Sequence, residues 1–89
     1  MDIFYTANAH TQLNEWATED KKGFAKLFKL IALTARSPYE GDGNPEPLKH
    51  NLVGYWSRRI TSEHRLVYRV NEDETFVKII SCRGHYTDL

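Results

Sequence analysis

Apolar positions along this chain repeat first with a helical period and later with a period of two. Phe24, Leu27, Phe28 and Ile31 stand at i, i+3, i+4 and i+7, the spacing of one helical face. Ahead of them Ala9, Leu13 and Trp16 fall on a second such face. Thr6 and Asp20 precede these segments, where a side-chain oxygen can accept from a free first-turn amide. The pattern predicts two consecutive helices. Gly23 should weaken the first turn of the second one slightly, and Lys21, Lys22, Lys26 and Lys29 fall largely outside its apolar stripe. That helix should stop before Ser37-Pro38, since a residue before proline avoids helical geometry.

Residues 37–47 carry two glycines and three prolines in eleven positions. Such a stretch cannot extend a helix or a central strand, and it is ordered only if something holds it. From residue 52 the period changes. Tyr55, Ser57 and Arg59 alternate with Trp56, Arg58 and Ile60. After a turn near Thr61-Ser62-Glu63, Leu66, Tyr68 and Val70 alternate with Arg65, Val67 and Arg69. A polar turn at 71–74 leads to a last strand over 75–83, with Ile80 and Cys82 opposite Ser81 and Arg83. Residues 2–5 read as a short strand of their own. Strands joined by short turns pair antiparallel, so the order is β-α-α-β-β-β. The expectation is an α+β fold with two helices packed on one face of a curved, mainly antiparallel sheet.

The chain has 89 residues, 40% of them hydrophobic, which suits one folded domain over 1–89 with a modest core. Cys82 is the sole cysteine, so no internal disulfide forms. No apolar run approaches the roughly 20 residues of a membrane helix. Met1-Asp2-Ile3-Phe4-Tyr5 lacks a basic segment followed by an apolar one, so it does not read as a secretion signal. A soluble cytoplasmic protein is expected. The formal net charge is zero, which argues against a broad nucleic-acid coat. Its distribution is uneven: Lys49, Arg58, Arg59, Arg65 and Arg69 share a stretch whose sole acid is Glu63. A local basic patch on a neutral protein suits a confined phosphate site or, equally, a solvated strand edge.

Strand parity sorts these residues. Arg59 and Arg65 cannot both lie against the helices without stranding buried charge, so they should line the open face. His85 shares parity with Ser81 and Arg83 and can reach that face. Glu46 and Lys49 sit where the loop enters the sheet. A carboxylate, several cations and an imidazole can thus converge. That set suits RNA, which carries its own nucleophile, the 2′-hydroxyl. Glu46 would be the base and His85 the acid, while Arg65, Arg59 and Lys49 would hold the phosphate. Tyr86 would stack on a base. The scheme needs neither metal nor other cofactor. Each residue also has a plainer reading: Glu46 as a loop acid, His85 as an exposed histidine, the arginines as surface pairs, Tyr86 as a lid on the core. Trp16 and Trp56 are assigned to packing. Cys82 with His85 and His50 makes a weak metal set.

Longer motifs add to this. Pro38-Tyr39-Glu40-Gly41-Asp42-Gly43-Asn44-Pro45-Glu46-Pro47-Leu48-Lys49 continues into His50-Asn51-Leu52-Val53-Gly54-Tyr55-Trp56-Ser57-Arg58-Arg59-Ile60, followed by Glu63-His64-Arg65-Leu66-Val67-Tyr68 and Ser81-Cys82-Arg83-Gly84-His85-Tyr86. Together these resemble the signature of the YoeB/Txe toxins of the RelE/ParE superfamily. The first third resembles that family only in helix pattern and in details such as Trp16 and Asp20-Lys21-Lys22. The resemblance implies a RelE-like fold and a type II toxin that cleaves messenger RNA in the ribosomal A site. It implies Glu46 as general base, Arg65 stabilising the transition state, His85 as acid, and Lys49, Arg59 and Tyr86 as substrate contacts. The partners it implies are the ribosome and its message, a YefM-like antitoxin, and a second copy or a toxin-antitoxin hetero-oligomer. Operator DNA would be met only through that complex, and no membrane is involved. Family members often end near the His-Tyr pair, whereas this chain continues with Thr87-Asp88-Leu89. Asp88 would be within reach of a hydrogen bond to His85. The alternatives are a ParE-like toxin that binds DNA gyrase and a purely regulatory antitoxin-binding protein, neither of which needs both Glu46 and His85.

Overall fold

The computed structural model describes residues 1–88 and, for Asp88, the backbone alone. The order is β1 (Asp2–Tyr5), α1 (Ala7–Glu19), α2 (Lys21–Arg36), β2 (Glu46–Pro47), β3 (Trp56–Arg59), β4 (Arg65–Val70) and β5 (Phe76–Ser81), with 3₁₀ turns at His50–Leu52 and Tyr86–Asp88. The five strands form one sheet in the order β1-β5-β4-β3-β2. Three neighbour pairs are antiparallel, and β1 runs parallel to β5. This is the expected α+β arrangement, with β2 added at the edge. Pro47 is tolerated there because an edge residue need not donate to a ladder.

Both helix caps form as the sequence predicts. Thr6 Oγ1 accepts from the Ala9 amide at 3.0 Å and Asp20 Oδ1 from the Gly23 amide at 2.9 Å. Gly23, though, does more than weaken a turn. A Cβ at this position would lie 2.4 Å from the Trp16 ring, so its absence allows α1 to sit close to α2.

The buried line of α2 is Leu27, Leu30, Ile31, Thr34 and Ala35, rotated from the expected stripe. Phe28 is 60% exposed and lies beside Phe24. Leu27, Leu30, Ile31 and Ala35 pack on Ile60, Leu66, Tyr68, Val77, Ile79 and Cys82 from the sheet side, with Trp16 and Ala9 from α1. Trp16 and Trp56 are both packing residues, as expected.

Strand parity fails at one place. Tyr68 pairs with Ile79, but its neighbour Val67 pairs with Ser81. Ile80 is therefore an extra residue opposite the Val67–Tyr68 step, and such a bulge reverses which face the following residues take. Val77 and Ile79 lie in the core before it, and Cys82 lies there after it. The expected pairing of Ile80 with Cys82 on one face does not hold.

Candidate active site

Residues opposite one another in a sheet share a face. Glu46 pairs with Ser57, Ser57 with Val67, and Val67 with Ser81, while Arg59 pairs with Arg65. On the other face Arg58 pairs with Leu66 and Trp56 with Tyr68, and these belong to the helix side. Glu46, Arg59 and Arg65 thus stand together on the face turned away from the helices, as expected for the two arginines.

The loop that delivers Glu46 is held by Arg58. This guanidinium is fully buried. Its Nη1 donates to the Asp42 carbonyl at 2.9 Å, its Nη2 to the carbonyls of Glu40 (2.9 Å) and Ser37, and its Nε to the Tyr68 hydroxyl at 3.3 Å. Tyr68 in turn donates to the Pro38 carbonyl, and burial raises its phenol above the ordinary pKa. A cation that gains four acceptors avoids the cost of an unpaired buried charge. The rest of the loop locks onto β3. The Arg59 amide donates to the Gly43 carbonyl at 2.7 Å. Gly43 adopts φ +84, and a Cβ there would press to 3.0 Å against the Arg59 carbonyl, so glycine alone fits. Beyond Glu46, Leu48 is buried and its amide bonds to Tyr55, which leaves Lys49 exposed beside it.

The other side of the site is the segment after β5. The Trp16 indole donates to the Cys82 carbonyl at 2.8 Å, and the Cys82 amide donates to Gln12 at 2.6 Å. Burial pushes the Cys82 thiol up to about 12. Arg83 turns back toward α1, pairs with Glu15 at 3.0 Å and Glu19 at 2.6 Å, and lies over the Trp16 ring. The Glu19 hydrogen bond holds the guanidinium above its ordinary value, and Glu19 is lowered in return. Gly84, at φ +80, then bends the chain. The Arg65 amide donates to its carbonyl and its own amide donates to His64 Nδ1, both at 2.9 Å. His64 also rests edge-on against Trp16.

His85 therefore does not inherit its position from strand parity with Ser81 and Arg83, since the strand ends at Ser81. The bend at Arg83 and Gly84 places it. His85 and Tyr86 stack with ring centroids 4.2 Å apart. His85 Nδ1 lies 3.2 Å from Thr87 Oγ1 and accepts from the Thr87 amide at 3.4 Å. The expected bond from Asp88 to His85 lies outside the described residues.

Glu46, Lys49 and Tyr86 line one cleft of about 320 Å³, with Pro47, Leu48, His50 and Leu52. Glu46 is the acid of that lining. Arg65 stands two strands further in, on β4, and its Nη1 donates to the carbonyls of Thr61 (2.8 Å) and His64 (3.1 Å). Arg59 lines a separate groove of about 570 Å³ toward α2. So three of the six candidate residues meet in the cleft, two stand paired on the same face, and His85 is fixed through its stack on Tyr86. Among the described residues no group of three or more His, Cys, Asp or Glu side chains is placed to hold a metal ion. From sequence, Arg58 stood only in the basic stretch and His50 only in a weak metal set, and neither they nor His64 carried a role in this site. Arg58 had a signal, since it shares parity with Trp56 and Ile60. His50, left-handed at φ +59, had none.

The sheet with its two helices and this polar open face define a known class of small toxin. Residues 5–86 match the YoeB-like toxins of bacterial type II toxin-antitoxin systems, and the chain belongs to that family. It is 56% identical to Toxin YoeB of Escherichia coli (strain K12) over 86 residues, covering 97% of this chain and all of that one. The YoeB/ParE toxin from Agrobacterium tumefaciens superposes with a TM-score of 0.92 at 42% identity, covering 97% of this chain and all of that one. YoeB of Staphylococcus aureus superposes as a dimer (TM-score 0.86) and within a heterotetrameric YoeB-YefM complex (TM-score 0.84). Each is 41% identical to this chain and covers 97% of it and 98% of that chain. No helix among the described residues is long and apolar enough to cross a membrane.

Proposed function

We propose that this toxin is a ribosome-dependent endoribonuclease that cuts messenger RNA in the A site by acid-base chemistry, with no metal. The observation that carries this reading is the register of the open face, which sets Glu46 two positions along from the facing Arg59–Arg65 pair, beside the cleft of Lys49 and Tyr86. In the reaction Glu46 takes the 2′-hydroxyl proton and the 2′-oxygen attacks the adjacent phosphorus. The bond to the 5′-oxygen breaks, and His85 supplies the proton that this oxygen needs. The products are a 2′,3′-cyclic phosphate and a 5′-hydroxyl. Arg65, Arg59 and Lys49 offset the charge that builds on the phosphate, and Tyr86 stacks on a base of the message. The donor set supports a mechanism without metal, since Glu46 has no companion carboxylate in the cleft.

The partners follow from the same reading. A YefM-like antitoxin covers the site, and the toxin pairs with a second copy or with the antitoxin. Operator DNA is met only through that complex, and the setting is the cytoplasm, where ribosomes work. The test is incubation with translating ribosomes and mapping of message ends, with Glu46→Ala and His85→Ala alongside. Each variant should fold and lose rate by ~10²–10⁴-fold. Cuts at the wild-type rate by either variant remove its assigned role. Intact messages with inhibited gyrase would point to the gyrase-binding alternative.

A further inference from the structure

Helix α2 carries Lys21, Lys22, Lys26, Lys29 and Arg36 and not one acid, in a chain whose formal net charge is zero. This placing works against the helix. Lys21 and Lys22 occupy its first turn, where the macrodipole favours acids. Stability does not account for the charge. Lys22, Lys26 and Lys29 fall at i, i+4 and i+7 and share one face. Two of them, Lys26 and Lys29, line the groove of about 570 Å³ between α2 and the β3–β4 turn, together with Arg59, Asn44, Thr61 and Ser62. Asp42 is the acid of that lining, and its carbonyl is held by Arg58. The ion pairs among the described residues both belong to Arg83, so these three cations carry no carboxylate partner. Arg59 joins the groove to the site face, because it lines the one and stands opposite Arg65 on the other.

We infer that this groove is a second phosphate-binding surface, which seats the phosphodiester backbone of RNA alongside the strand being cut. Lys26 and Lys29 act there as point charges on successive phosphates, with Arg59 as the cation shared between the groove and the open face. This rests on the RNA-cleaving reading but is tested by binding, not by cleavage.

The variant is K26E/K29E in the whole protein, with K26Q/K29Q as a milder second form. Two probes separate the sources of phosphate: a fluorescent single-stranded RNA with 2′-O-methyl groups, which cannot be cut, and vacant ribosomes free of message. The expected result is a loss of at least tenfold in affinity for one probe or both by K26E/K29E, with a smaller loss by K26Q/K29Q. The slope of log affinity against log salt should become shallower by about 0.7 per lysine on single strands. Loss confined to RNA assigns the groove to the message, and loss confined to ribosomes assigns it to ribosomal RNA. Unchanged affinity and slope on both probes overturn the inference. Weaker binding of the antitoxin with RNA binding intact also overturns it, in favour of an acidic protein segment. If the wild type binds RNA through these lysines yet never cuts, the groove stands and the cleavage reading falls.

Discussion

Arg58 and Arg83 each fasten one side of the site, one beneath the loop that carries Glu46 and the other before the turn that carries His85. Arg58 is enclosed and spends its donors on neutral acceptors, three backbone carbonyls and a phenol. Arg83 is partly exposed and meets two carboxylates. The ion pair looks stronger on paper, yet solvent screens it, and exposed pairs contribute little. The buried arginine has no water to fall back on. Removing it strands groups that its own folding brought out of solvent. The loop side is therefore the rigid mount. The tail side is held by several small contacts, of which Arg83 is one.

The sharpest way to break this comparison is Arg58→Ala. It should cost ~3 kcal/mol or more, since the Tyr68 hydroxyl and loop carbonyls lose their donors, and urea unfolding should show a lowered midpoint. A midpoint near wild type would mean that the loop is held by something other than Arg58. Next comes His64→Phe, which keeps a ring against Trp16 but removes the acceptor for the Gly84 amide. The proposed message cleavage should fall by up to ~10²-fold through displacement of His85, with thermal stability little changed. Equal cleavage would show that the Arg65–Gly84 bond alone positions the tail.

Arg83→Gln should lower thermal stability only slightly, and the difference from wild type should shrink in ~1 M salt as the charges are screened. A large, salt-independent loss would reverse the ranking of the two arginines. The smallest effect belongs to Cys82. Its thiol is raised to about 12, so the folded state favours the neutral form. The stability this contributes is full below the ordinary thiol pKa and fades as pH climbs toward 12. At pH 8 the folded protein should resist iodoacetamide while the denatured chain reacts, and equal labelling of both would place the thiol at the surface.

Much of this architecture was legible in the sequence because it rests on local rules. Thr6 and Asp20 announce their helices through capping chemistry, and alternation from residue 55 announces β3 and β4. The open-face position of Arg59 and Arg65 followed from parity and from the cost of burying charge. At Arg58 parity pointed inward against that same cost, and the charge is satisfied by carbonyls sixteen or more residues away in sequence. No local pattern shows such acceptors. The tail was misread for a related reason. The extra residue at Ile80 resets parity within β5, and the strand ends at Ser81 before the bend at Gly84, so counting by two from Ser81 to His85 fails. Lys49, Glu46 and Tyr86 were brought to one cleft by a two-residue edge strand too short to have a period at all.

The parallel pairing of β1 with β5 has a bearing on how the toxin is made. β5 lies between β1 and β4 in the sheet, yet it is synthesised after every other strand. The first residues of the chain have no neighbour to pair with until residues 76–79 arrive. Contacts of such long sequence separation are slow to form, because chain closure precedes their reward. A nascent chain that has emerged only as far as β4 has neither the strand that completes the sheet nor the His85 end of the site. Assembly of the sheet, and with it of the open face that carries Glu46, Arg59 and Arg65, is thus deferred until β5 has been made.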